Sequence, residues 1–362
     1  MSASRRILQT AFWVVATGII VTAVMAGSAR DKEDPSQAPL SPEVRVDPDA
    51  TVHWGPRTIP FPRFATRESR EAYMALINSD VNADQPADPK LYPAWAARHV
   101  ENLFAREKAM ALKLYPVDEQ DGKVGGVDAA TYTPKTMPAK NRDKVMLEFE
   151  VDSTAIAVAA LAQVKVIALH YGLNPSAEPH RELLAAYREL LKTYKPRNIA
   201  MFGTSGGCSL LQTTLAWLPE QKLPFPAAAG LLTCGGAADG GDTWTLNDGV
   251  DPIQSVYLFP ARPPRRPMDL SVPRKPGEPP RTPLEGDIPK GYPPTYLLAG
   301  TRDMSLSEIV MLHRKLRNAG VVADLNVFEG MWHGFDDDTE TPESREALTD
   351  LAHFLGAHLG PA

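Results

Sequence analysis

The sequence predicts an α/β fold: a central, mostly parallel sheet with helices on both faces. Two observations predict it. From about residue 130, short apolar runs alternate with amphipathic stretches of helical period, the pattern of strands joined by crossover helices. The chain also has 362 residues, 43% of them apolar and 23% charged, enough for one large core and its helical cover. Composition narrows function as well. A net charge of −6 argues against a nucleic-acid partner, because phosphate binding needs clustered cations. There is no H-E-x-x-H or comparable ligand spacing, so no metal and no other cofactor is expected.

The elements follow in order. Arg5 and Arg6 precede an uncharged stretch from Ile7 to Ala29, with small-residue cleavage points at Val24-Met25-Ala26 and Gly27-Ser28-Ala29. Residues 1–29 therefore read as an export signal, placing the mature chain in the periplasm or outside the cell. The alternative is an uncleaved membrane anchor, because residues 7–29 are just long enough to cross a bilayer and would hold the rest of the chain outside the cytoplasm. Residues 30–65, rich in Pro, Asp and Ser, read as a flexible arm. Helical periodicity near 67–79 and 95–112, the latter carrying Trp95, Val100, Leu103, Phe104 and Leu112, marks a helical region over residues 66–115 that forms a cap or packs on the main domain.

The main domain is expected over 116–362. Strands are predicted at Lys144–Phe149, Val164–His170, Asn198–Phe202, Ala227–Thr233, Thr295–Ala299 and Asp324–Phe328. Helices are predicted at Thr154–Ala162, Arg181–Thr193, Ser205–Trp217, Ser305–Asn318 and Ser344–Leu355. Residues 252–294 interrupt the alternation and hold 13 of the 34 prolines, which excludes a regular helix or an interior strand. This insertion reads as a surface excursion or as a wall beside a site. The final helix leaves a homodimer open. Cys208 and Cys234 are the two cysteines; they read as buried thiols, or as one disulfide if the chain is exported.

The chemistry centres on Gly203-Thr204-Ser205-Gly206-Gly207, a G-x-S-x-G between an apolar strand and an amphipathic helix. That context turns a common glycine-serine loop into a nucleophile elbow. Small residues at 203 and 207 permit the tight turn, and the N–H of Gly206 lies where an oxyanion would form. A serine hydroxyl needs a base. His333, in Glu329-Gly330-Met331-Trp332-His333-Gly334-Phe335, follows the last strand on a glycine-flanked turn. His170 ends a strand and is the alternative to control for. The base in turn needs a carboxylate to hold its tautomer. Asp303, in Gly300-Thr301-Arg302-Asp303, sits between a strand and a helix; a helix cap is its competing role, and Asp239, Asp242 and Asp248 are the other candidates.

On these three motifs, residues 90–357 resemble the hormone-sensitive-lipase-like esterases of the α/β-hydrolase superfamily. The resemblance implies an α/β-hydrolase fold, an N-terminal helical cap, a small-molecule ester substrate and hydrolysis without a metal. Two departures stand out. The family usually has Asp before the serine and often Ala after it, where this chain has Thr204 and Gly206. The family also places a His-Gly-Gly-Gly oxyanion loop after the strand that ends here at Phe149, whereas this chain runs Glu150-Val151-Asp152-Ser153 straight into the next helix. Losing one oxyanion donor costs about 10²–10³ in rate, and Glu150 and Asp152 bring negative charge to that region, although Asp152 or Ser153 also suits the helix N-cap. An esterase with Ser205, His333 and Asp303 as its triad is the leading expectation. An impaired pseudo-hydrolase that binds a ligand or partner, and a peptidase or amide hydrolase, are its alternatives.

Overall fold

The computed structural model describes residues 44–55, 58–78, 91–149, 151–171, 178–234, 241–258, 277–278, 284 and 286–360. Contacts divide the chain after Pro60. Before that point two short strands, β1 (Val44–Val46) and β2 (Val52–Trp54), pair antiparallel within the stretch read as an arm.

After it come two helices, α1 (Arg67–Ile77) and α2 (Tyr92–Leu114). Thr66 caps α1 by accepting the Ser69 N–H, and its own hydroxyl and N–H go to Glu343. Then follow β3 (Val117–Val124), β4 (Val127–Pro134), β5 (Val145–Phe149), α3 (Asp152–Ala162), β6 (Lys165–Leu169), α4 (Pro179–Leu190), β7 (Ile199–Thr204) and α5 (Ser205–Trp217). The chain continues through β8 (Ala228–Leu232), α6 (Asp242–Leu246), β9 (Thr295–Gly300), α7 (Leu306–Asn318), β10 (Ala323–Phe328) and α8 (Pro342–His358).

Eight strands form one sheet in the order β10-β9-β8-β7-β5-β6-β4-β3. All neighbours are parallel except β4, which runs antiparallel to both β3 and β6. The β3–β4 hairpin was not anticipated. Its turn is Gly125-Gly126, with φ of 61° and 88°, the left-handed backbone a two-residue hairpin requires.

The inner strands are wholly buried, which explains their unbroken apolar runs. Successive residues still alternate between faces. Val145, Leu147 and Phe149 of β5 join the core under α4, α5 and α7, with Leu183, Tyr187, Leu211 and Leu316. Met146 joins the opposite core under α3 and α8, with Ile156, Phe202, Leu348 and Leu351. Cys208 and Cys234, 5.7 Å apart at Cα, are joined by a disulfide beneath the first turn of α5.

The expected membrane association needs correction. Among the described residues no helix is long and apolar enough to cross a membrane, and a span needs about 20 apolar residues. Residues 7–29, on which that expectation rested, lie outside the described residues, as does most of the proline-rich insertion.

Candidate active site

Four consecutive parallel strands in space, β7, β8, β9 and β10, deliver the site from their carboxyl ends, where parallel sheets keep their chemistry. Ser205 follows β7 directly and has φ of 51°, a left-handed conformation that costs a non-glycine residue energy and lifts its side chain clear of the strand. The turn tolerates no bulk. A Cβ at Gly203 would lie 3.0 Å from the carbonyl carbon of Gly207 and 3.1 Å from the nitrogen of Cys208. Ser205 Oγ stands 2.7 Å from His333 Nε2.

His333 lies on the loop after β10, and that loop is clamped to the loop after β9. A Cβ at Gly300 would fall 2.0 Å from the Met331 carbonyl oxygen, so only glycine lets the two backbones come this close. Arg302 N–H donates to Met331 O at 2.9 Å, and Gly330 N–H to Thr301 Oγ1 at 2.7 Å. The clamp brings Asp303 Oδ1 to 3.0 Å from His333 Nδ1. The Ser305 N–H and hydroxyl both donate to that same oxygen at 2.8 Å. Asp303 is fully buried, and one of its oxygens holds both the imidazole and Ser305, the cap residue of α7. Asp242 opens α6 and Asp248 lies in the turn after it; Asp239 lies outside the described residues.

Two carboxylates were not anticipated. Asp251 accepts four backbone N–H groups: Ile253 at 2.9 Å and Gln254 at 3.3 Å on Oδ1, Met304 at 3.0 Å and His333 at 3.3 Å on Oδ2. It thus ties the acid loop to the base loop. Asp251, Asp303 and His333 bring their ligand atoms within 4.8 Å of one another, a grouping that resembles a metal site. The four N–H donors, however, occupy the lone pairs Asp251 would offer to a cation. Asp336 accepts from Thr204 Oγ1 at 2.8 Å and from Thr233 Oγ1 at 3.4 Å. Thr204, which stands where relatives of the resembled family carry Asp, is thereby bound to an acid supplied by the His333 loop. No local motif marks Asp251 or Asp336; only the folded chain brings them to the site.

These charges set the protonation of the base. Burial is the largest influence on His333 and pushes its pKa down, but the charge and hydrogen bond of Asp303, with the charges of Asp251 and Asp336, outweigh it and raise the pKa to about 9. Burial likewise lifts Asp251 to about 6 against the pull of His333. Asp336 is also raised to about 6 by burial, partly offset by the Thr204 hydrogen bond.

The oxyanion side departs from the rest. β5 ends at Phe149 and α3 begins at Asp152, so the connection is as short as its sequence implies. Glu150 lies outside the described residues. Asp152 does not cap α3; the cap position is Val151, with no side-chain cap. Asp152 instead accepts from Tyr132 Oη at 2.8 Å, lies 3.1 Å from His170 Nε2 and pairs with Lys108 Nζ at 3.2 Å. Burial would raise its pKa, but His170 and Lys108 prevail and hold it below the usual range. His170 is thus engaged with Asp152 and serves neither Ser205 nor Asp303. The N–H of Gly206, one residue past the nucleophile and exposed, opens α5, whose positive end favours developing negative charge.

A cavity of about 110 Å³ adjoins the pair Ser205 and His333 and is walled by α1 and α2 through Ala72, Leu76, Val100, Leu103 and Phe104.

Comparisons with known proteins agree with this geometry. A family model described as the alpha/beta hydrolase fold matches residues 145–337. An esterase of Acinetobacter venetianus RAG-1 is 28% identical over 206 residues, which is 54% of this chain and 66% of that protein, just under two thirds of its length. Among solved structures, esterase E25 is 30% identical with a TM-score of 0.66, covering 84% of this chain and 98% of that one. An esterase from the bacterial hormone-sensitive lipase family has 22% identity and a TM-score of 0.61, over 82% of this chain and all of the other.

Proposed function

The chain belongs to the α/β-hydrolase family, and from that membership we propose that it is a carboxylic ester hydrolase acting through an acyl-enzyme. The observation that carries this reading is the continuous chain of hydrogen bonds Ser205–His333–Asp303, at 2.7 and 3.0 Å. Ser205 Oγ attacks the ester carbonyl carbon while His333 Nε2 takes its proton. Asp303 holds the imidazole by Nδ1, fixes its tautomer and stabilises its positive form. When the tetrahedral intermediate collapses, His333 returns the proton to the departing alcohol. A water, deprotonated by the same nitrogen, then releases the acid and restores Ser205. The first turn of α5 supplies the N–H of Gly206 to the oxyanion.

The short Phe149–Asp152 connection favours a second reading, a hydrolase slowed by the loss of oxyanion donors and retained for ligand binding. Turnover of a short p-nitrophenyl ester by the wild-type chain and by Ser205→Ala separates the two. Ester hydrolysis predicts a rate that the substitution removes. Equal background rates in both proteins would sink it.

We further place the working protein in an oxidising compartment, periplasmic or secreted. The charged-then-apolar leader supports this, and so does the disulfide between its two cysteines. Thiol labelling of protein taken directly from cells tests it: Cys208 and Cys234 should resist alkylation until reduced, and free labelling would refute the placement.

A further inference from the structure

The cavity beside Ser205 contains a group that ester hydrolysis does not employ. Glu107, on α2, lines it. Its side chain is only 9% exposed, and its Oε2 has no hydrogen-bond partner. Much of the surrounding wall is apolar, with Leu76, Val100, Leu103 and Ile253 lining the same space. A buried carboxyl oxygen without a partner in such a wall is costly to keep. Its neighbours add to the cost. Asp338 lines the cavity too, and its charge and that of Asp336 act on Glu107, opposed by Arg106. Burial, followed by Asp338, pushes the Glu107 pKa up to about 8, against the pull of Arg106, which lines the same cavity.

An uncharged ligand group would offer Glu107 a hydrogen bond and leave the repulsion from Asp338 in place. A cationic group would relieve both. The rings of Phe104 and Trp332 line the same cavity, and aromatic faces attract cations, quaternary ammonium above all. We propose that this cavity selects esters bearing a cationic amine, with Glu107 as the specificity-determining carboxylate. The proposal rests on the esterase reading for its substrate, and its test keeps the two apart.

Acetylcholine and neohexyl acetate, its uncharged isostere, are compared with the full chain. The wild type should favour acetylcholine in kcat/KM by about tenfold or more, the value of one well-placed cation contact. Glu107→Gln should bring that ratio close to one, and Glu107→Asp should keep part of it. A wild-type ratio near one, or an unaltered ratio in Glu107→Gln, overturns the assignment. If neither ester is hydrolysed, the p-nitrophenyl ester assay judges the esterase reading and calorimetry with tetramethylammonium decides the cation site alone. Binding that weakens about tenfold in Glu107→Gln upholds the site, and equal binding by both proteins overturns it.

Discussion

His333 carries a proton at neutral pH because acids surround it. Asp303 touches its Nδ1, and Asp251 and Asp336 add their charge, together raising its pKa to about 9. A protonated imidazole has no lone pair to accept the Ser205 proton. Activity on an uncharged ester should therefore climb about tenfold per pH unit and level off near pH 9. A kcat/KM profile that is already flat at pH 7 would contradict this. Asp251→Asn tests the electrostatics from one position. Removing its charge should shift the limb to lower pH. The amide NH₂ would also confront N–H groups that now meet a carboxylate oxygen, costing about 1–3 kcal/mol in denaturant melts. An unmoved limb would mean that Asp251 acts through loop geometry alone. Ser205, His333 and Asp303 were legible in the sequence because each lies in a short motif beside a strand. Asp251, Asp336 and Glu107 were not, since no motif singles them out (Asp336 opens a run of three aspartates) and their roles arise only when distant segments meet.

The loops that meet at the site depend on elements docked at van der Waals limits. The β9 loop and the His333 loop touch backbone to backbone at Gly300, where any Cβ would collide with the Met331 carbonyl. Gly300→Ala should therefore force the loops apart, cost about 1–3 kcal/mol of stability and lower kcat more than it raises KM, because the Asp303–His333 contact is what the clamp sets. Urea unfolding beside steady-state kinetics checks both parts; unchanged kcat would show that the clamp is not needed to position the base. The parallel strands and their helices were readable because they are buried apolar runs and one-sided helical stripes. The β3–β4 hairpin was not. β3 reads Val-Asp-Glu-Gln-Asp-Gly-Lys-Val and is largely exposed, so it lacks the alternation that marks a half-buried strand. Gly125-Gly126 was the one signal available. The missing oxyanion loop, by contrast, could be read directly, because the strand and helix that flank it were both legible.

Across the whole molecule, the groups that serve the site work against the stability of the fold at alkaline pH. His333 has a folded pKa of about 9 against an ordinary 6.5, so its contribution is complete below 6.5 and disappears as pH rises through 9. Glu107 behaves alike between 4.5 and about 8, and Asp251 and Asp336 between 3.8 and about 6. Each binds its proton more tightly when folded, so each favours the folded state most on the acid side. Asp152 and Glu343 run the other way. Their folded pKa values lie below the ordinary 3.8 and 4.5, so their contributions are present above those values and fade as pH falls further. By linkage, these shifts place maximum stability on the acid side, at about pH 4 to 4.5, with a decline towards pH 9. Thermal melts across that interval should show Tm falling while kcat/KM rises, so that the fold is weakest where the base works best. A Tm that holds level or increases from pH 5 to 9 would show that the buried acids around Ser205 are compensated in a way their present partners do not account for.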